Sequence, residues 1–505
     1  MKRFLQLLLM TGISCTFASA QLVDMNNLPE GTIRIIGDSI NGALGSEVKT
    51  IGDINGDGLP DFAITAPIAD QVYVVYGKRT FPKVVNLSST LPYGFVIKGK
   101  QGSGFGTSIA APGDVNRDGK ADLVIGAPFD GNGGRIYVLK GGFGIQSVST
   151  NLESQFLLII EGTPGENLGA FLGNGGYINS DASADILIPS PFLARLDLED
   201  NVLLGAAYVI FGKIEYPEHI ISTLNLDMAY SSTIFDDINP AGTNSFAGYA
   251  TAFESIGDFT KDGVDDIALV TGIETDPASV SISIIPGAAF MPGIQLADQL
   301  SPETIELTLR LFDNADMHKV SSIYGCDVNG DGFSELVCGF PRGSLVSVQS
   351  ATGTVAIITM PEGDSYQIEI TPDNLGSTTL ITSAFDNSEL GQTIACSKHG
   401  LLLGAPFAVS PFDEGSTTGA LHLVSHDQIN IPAVVNDITQ IASPIFYGRE
   451  AGDMFAFSID VLGDLNKDGD DEILILASES GDTPTAVYIV TSDPVVTAIS
   501  DFMLY

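Results

Sequence analysis

The sequence predicts an all-β chain, folded as a seven-bladed β-propeller of four-stranded blades. Three observations carry this. The apolar residues are 44% of 505 and rich in β-branched and aromatic types, with 56 Gly and 25 Pro to make turns and no Trp. A unit, 24 residues long in its first two copies, recurs seven times along the chain. Each recurrence supplies about four short apolar runs separated by turn residues, and none shows sustained helical periodicity. Four strands per unit, repeated seven times, is the pattern of a propeller. A linear stack would leave exposed strand edges and call for distinct caps.

The unit is clearest in its first two copies. Leu44-Gly45 to Pro67 reads LGSEVKTIGDINGDGLPDFAITAP, and Phe105-Gly106 to Pro128 reads FGTSIAAPGDVNRDGKADLVIGAP. Both run apolar-Gly, strand, Asp-rich loop, strand, Ala-Pro. Further copies start at Leu168, Tyr249, His318, Leu390 and Phe455. A third strand follows each Ala-Pro position, as in Val72 to Tyr76, and a fourth precedes the next copy, as in Phe95 to Lys98. The last copy ends on its third strand, Ala486 to Val490. Gly31 to Ile36 is therefore expected to complete the last blade and lock the ring, with Asp493 to Tyr505 competing for that edge.

These units resemble FG-GAP repeats, the blades of the integrin α-subunit propeller. The second copy carries Phe105-Gly106 and Gly126-Ala127-Pro128 literally, while others drift to Thr65-Ala66-Pro67, Pro189-Ser190-Pro191 and Gly339-Phe340-Pro341. The resemblance runs from about Gly31 to Thr491. No calf or leg domain, inserted von Willebrand-type domain or membrane-spanning tail is readable, so the likeness is to an isolated, secreted propeller.

Five copies carry D-x-[DNT]-x-D-G-x-x-[DE] between their first two strands. The expected metal residues are Asp53, Asn55, Asp57, Leu59 and Asp61; Asp114, Asn116, Asp118, Lys120 and Asp122; Asp258, Thr260, Asp262, Val264 and Asp266; Asp327, Asn329, Asp331, Phe333 and Glu335; Asp464, Asn466, Asp468, Asp470 and Glu472. A hard cation such as Ca2+ needs six to eight oxygens at about 2.3–2.6 Å. Positions 1, 3 and 5 of a tight loop can point inward together, a glycine at position 6 permits the turn, position 7 offers its carbonyl, and position 9 closes the shell. Asp265 precedes Asp266, so either could close the third of these loops. The 168 copy has Tyr177 at position 1 and Ala182 at position 6, and no strong site is expected there. The 390 copy deletes the loop, joining its strands through Cys396-Ser397-Lys398-His399-Gly400. About five structural calcium ions are expected. The resemblance puts them on the lower face, away from ligand.

By the same resemblance, the partner-binding face is built by the loops between strands 2 and 3 and between strands 4 and 1. Phe192, Arg195, Phe407 and Phe412 are the expected contacts, since aromatic and Arg side chains dominate interface hot spots. The partner is an extracellular protein or glycan. A polysaccharide-acting enzyme or a purely structural surface protein stays open as an alternative. The five histidines show no catalytic order, and His422-x-x-x-His426 lies at a strand end, where i and i+4 are about 13 Å apart.

Charge and targeting agree with this. Lys plus Arg is 22 against 62 Asp plus Glu, a net charge of −40, which repels nucleic-acid phosphates and anionic lipid. Lys2-Arg3, an apolar run from Phe4 and Ala18-Ser19-Ala20 read as a secretory signal over residues 1–20, leaving residues 21–505 as the mature seven-repeat propeller. Of the mature cysteines, Cys326 and Cys338 flank one hairpin and could pair; buried free thiols are the alternative.

Overall fold

The computed structural model describes residues 22–491, apart from residues 30, 38–44, 88–90, 92, 143–147, 152, 197–201, 217, 224–230, 236–251, 273–279, 288–292, 297–303, 311–319, 344–351, 361–366, 372, 377, 384–386, 413–414, 430–434, 442–444 and 479–484. The expected signal segment and C-terminal tail lie outside the described residues. Among the described residues the regular secondary structure is almost entirely strand.

Each repeat places its strands side by side from the axis outwards. In the first these are Val48–Gly52, Asp61–Ala66, Gln71–Val75 and Gly94–Lys98, all antiparallel. The second strand is buried along its whole length. Neighbouring sheets cover both of its faces, so DFAITA reads as a continuous apolar run after its first residue and does not alternate.

Six sheets carry a fifth, outermost strand that runs parallel to the fourth. It comes from the connection between strands 3 and 4 of the following repeat. Val148–Ser149 of the second repeat pairs with Gly94–Lys98 of the first, and Ile220–Ser222 of the third with Leu158–Glu161 of the second. Each repeat thus clasps its predecessor through backbone hydrogen bonds as well as side chains. The rule holds across the chain ends. Ile33–Ile36 is the antiparallel fourth strand beside Ala486–Thr491, and Leu22–Asp24 just upstream pairs in parallel with Ile445–Tyr447 of the sixth repeat. The N-terminal segment supplies the second half of the last repeat's missing connection.

The expectation of a seven-bladed propeller of four-stranded blades is corrected: the structure shows six blades, not seven. Six blades are complete, and each has five strands. The sheet of the third repeat has only Ile186–Leu196, Val202–Ile210, Ser231–Phe235 and a clasp, Gly293–Leu296. It lacks an inner strand; the inner segment touches it at a single bridge, Gly173 to Leu187. The cause is glycine. Gly173 and Gly175 let this segment run close to the carbonyls of Phe253 and Asp185, but with Gly176 they supply no side chains to pack and weaken a strand.

Apolar clusters fill the space between each sheet and the next, including the last and the first, where Ile35, Val48, Phe62 and Leu474 meet. The literal FG-GAP residues act at such a junction. Phe105 is fully buried between the first two sheets against Val72 and Tyr137. Gly106 turns the chain at φ +87°, a conformation that disfavours other residues. Gly126 faces the carbonyl oxygen of Gly169 in the next repeat, where a Cβ would collide with it. Gly339 meets Gly391 in the same way. We expect Gly126→Ala to lower stability by about 1–3 kcal/mol in denaturant unfolding, as overpacking does; an unchanged midpoint would refute this role.

The structure also corrects the cysteine pairing. Cys326 is bonded to Cys396, and Cys338 is a buried free thiol. Within the hairpin, Cys326 lies opposite Glu335 and Cys338 opposite Ile323, so the two cannot meet. Cys396 ends the neighbouring inner strand, with its Cα 6.0 Å from that of Cys326.

Candidate functional site

The five acidic loops share one geometry. In the first, Asp53 Oδ1 accepts the N–H groups of Gly56 and Asp57, and Oδ2 that of Gly58. Asp57 Oδ1 accepts the Leu59 N–H at 3.0 Å. Asp61, fully buried, accepts the N–H groups of Ile54 and Asn55 on Oδ2. The same bonds recur from Asp114 to Gly119, Asp118 to Lys120 and Asp122 to Val115. They recur from Asp258 to Gly263, Asp262 to Val264 and Asp266 to Thr260. Asp327, Asp331 and Glu335 hold Gly332, Phe333 and Val328; Asp464, Asp468 and Glu472 hold Gly469, Asp470 and Leu465. Of the two candidates in the 258 loop, Asp266 takes the buried closing place.

One partner of the closing acid escaped the sequence reading. Asp61 Oδ1 accepts the N–H of Gly77 at 2.7 Å. Gly141 serves Asp122, Gly212 serves Asp185 and Gly287 serves Asp266. Each glycine lies two residues beyond the third strand, and at each a Cβ would meet a backbone carbonyl just before the closing acid. The two loops that close with the longer Glu335 and Glu472 have Met360 and Asp493 two residues beyond, not glycine. A glycine recurring at that spacing with Asp, and absent with Glu, was the available signal.

Burial pushes the closing carboxyls up: Asp61, Asp122, Glu335 and Glu472 to about 7 and Asp266 to about 6, against the N–H bonds that lower them. Among the described residues, no three His, Cys, Asp or Glu side chains form a cluster that could hold a metal ion. The carboxylates are engaged by the loops' own N–H groups. The donor chemistry nonetheless fits a hard cation. Asn55 Nδ2 sits 3.1 Å from Asp57 Oδ2 and 3.4 Å from Asp61 Oδ1, and Asn466 Nδ2 sits 2.9 Å from Asp468 Oδ2 and 2.7 Å from Glu472 Oε1. In these two loops the positive end of an amide dipole lies between two acids, where the charge of a cation is best placed.

The two departing repeats are held differently. In the third, Arg117 from the preceding loop reaches Asp181 at 3.1 Å and Ser183 at 2.5 Å. In the sixth, Lys398 and His399 both reach Asp470 of the next loop, at 3.3 and 2.9 Å, and Cys396 is bonded to the fifth repeat. Protein cations and a covalent bond stand where acidic loops are missing.

At the other end of the strands, Phe192 is exposed and lies 6.1 Å from the exposed Phe171, ring to ring. Phe412 is exposed beside Tyr447, and Phe407 is half-buried. Arg195 pairs through its backbone with Leu203 in an extended hairpin; its side chain lies outside the described residues. The structure does not bring these four together: two belong to the third repeat and two to the sixth. It shows a recurring exposed position of which the sequence reading named only Phe192. Ile68 is 76% exposed, Phe129 65% and Phe192 42%, and each follows the motif proline of repeats one, two and three. A residue at one fixed place in successive repeats was a legible signal.

A cavity of about 380 Å3 runs along the inner strands and holds Glu47, Lys49, Glu254 and Asp460. The acids tie neighbouring repeats: Glu47 accepts the Ile109 N–H, Glu254 that of Asn174 and Asp460 that of Thr50. Burial pushes Glu254 up to about 7, with Lys49 opposing. No helix among the described residues is long and apolar enough to cross a membrane.

The FG-GAP repeat family model matches residues 50–77, 105–139 and 320–358. The chain is similar to Integrin alpha-PS5 of Drosophila melanogaster, 30% identical over 28% of this chain and 14% of that protein. It is also similar to Integrin alpha-3 of Cricetulus griseus, 32% identical over 20% of this chain and 10% of that one, and to Integrin alpha-PS2 of Drosophila melanogaster, 34% over 21% and 8%. The matches thus span about a tenth of these relatives' lengths. Three matched FG-GAP repeats, the buried Phe105-Gly106 junction of the second and these relatives support an integrin-like FG-GAP β-propeller.

Proposed function

We propose that the chain is an extracellular, calcium-stabilised interaction module that binds a protein or glycan through the face opposite its acidic loops. The observation that carries this is that Ile68, Phe129 and Phe192 are exposed at one place in three successive repeats, with Phe171 beside Phe192. Singly exposed apolar residues are ordinary, but a patterned apolar group on one face favours contact with a partner. Five loops with hard-cation donors support calcium as the stabilising ion, and extracellular calcium suits a secreted chain. The reading is of binding and not catalysis: the three carboxylates that converge in the axial cavity are tied to backbone N–H groups of adjacent repeats.

The test is capture of secreted and surface proteins and glycans by immobilised residues 21–505, with melting followed in parallel. The Ile68→Ser, Phe129→Ser, Phe192→Ser triple variant should lose capture at least about tenfold while melting as the parent does, as expected when interface anchors are removed. Equal capture by parent and variant would refute this face.

A further inference from the structure

We propose that a pocket beside the first acidic loop binds a small sugar acid, a polyhydroxylated ring bearing one carboxylate. The pocket is about 410 Å3 and is lined by Asp57, Leu59, Tyr76, Gly77, Lys78, Arg79, Thr80 and Tyr93. That volume lies within the range of small-molecule clefts. It sits at the acidic-loop end of the strands, remote from the apolar face, and does not rest on the partner reading above.

The charges at this pocket are unusual for the chain. Tyr76 to Lys83 reads YGKRTFPK, placing three of the 22 cations in eight residues without an acid. Four cations elsewhere are matched: Lys100 with Asp130, Arg117 with Asp181, Lys261 with Asp331, Lys398 with Asp470. Among the described residues Lys78 and Arg79 pair with no carboxylate, although the chain carries 62 Asp and Glu. Nor is Lys78 loose. Its Nζ lies 4.1 Å from the centroid of the Tyr93 ring, which is braced edge-on by Phe81 at 6.0 Å. A cation held over a ring has already lost much of the freedom that binding would cost it.

The rest of the lining selects the kind of anion. Arg79 offers a planar fork suited to a carboxylate, with Lys78 as a second charge. The Thr80 hydroxyl can donate or accept, which suits ligand hydroxyls. The net charge of −40 repels a long polyanion but costs a singly charged ligand little.

The probes are D-glucuronic acid, D-glucose and inorganic sulfate, titrated calorimetrically into residues 21–505 at low ionic strength, in calcium and in chelator. Glucuronate should bind at least about tenfold more tightly than glucose or sulfate, because only it has both the charge and the hydroxyls. The Lys78→Ala, Arg79→Ala double variant should lose about tenfold or more in affinity with an unchanged melt, and Arg79→Lys should lose part of it. No binding by the parent, equal binding of glucose, or equal binding of sulfate would overturn the proposal. So would an unaffected double variant, including one whose binding vanishes only in chelator, since the metal would then hold the anion.

Discussion

A chain beginning at residue 37 should lose its cooperative unfolding transition. The segment removed contributes two strands to two different sheets. Ile33–Ile36 covers the open edge of Ala486–Thr491, and Leu22–Asp24 clasps Ile445–Tyr447. It also buries side chains on both sides of the last sheet. Ile35 lies fully buried with Val48, Phe62 and Leu474, and Met25 with Leu402, Phe446 and Phe455. Each of these two truncated alone to Ala would cost about 2–5 kcal/mol. Losing both, with seven strand residues and their ladder bonds, approaches or exceeds the roughly 5–15 kcal/mol that holds an ordinary domain together. The exposed edges would also invite association. Ile35→Ala in the full chain is the milder check, with a shifted midpoint and an unchanged denaturant slope. Parent-like melting of the truncated chain would mean that the ring closes without this segment.

Chelation should lower the melting temperature, and the loss should depend on pH. A loop with a Kd of ~10 μM in ~1 mM calcium contributes about 2.7 kcal/mol. Five loops therefore give the second-largest effect expected of any single change. Asp53→Ala should weaken the response to calcium. Asp181→Ala, in the loop bound by Arg117, should not. In the metal-free chain, burial raises the closing carboxyls, with Asp61 and Asp122 at about 7, above the ~3.9 of an unfolded Asp. The folded state then holds these protons more tightly than the unfolded state. Their contribution to stability is complete below about pH 4 and is lost as pH rises towards 7. On the proposed reading, bound calcium would take the proton's place on these oxygens. In chelator the melting temperature should fall between pH 5 and pH 7.5, and in calcium the fall should disappear. Matching pH profiles in the two buffers would contradict this coupling.

What was legible followed from periodicity. Seven copies at matched positions exposed the strands, the acidic loops and the need for an N-terminal closing strand. The clasping strands were not legible, because pieces as short as Val148–Ser149 carry no period and are defined by their neighbour. The third repeat's inner strand was counted from its place in the pattern, while the glycines at 173, 175 and 176 removed the side chains that would have made it a strand. The disulfide was misjudged because Cys338 is close to Cys326 in sequence, whereas Cys396 is brought close by the ring from 70 residues away. The partner face was read from loop length and aromatic content. Position relative to the motif proline would have led to Ile68 and Phe129, which lie in short loops.

The central claim is that the five acidic loops are calcium sites on which the ring's stability depends. The most direct test is to count calcium on residues 21–505 by equilibrium dialysis at neutral pH and to melt the same samples. The account predicts five ions per chain, one fewer in each variant that replaces a position-1 Asp, and a melting temperature that rises with occupancy. A chain that takes up no calcium, or that melts alike at zero and full occupancy, would contradict it.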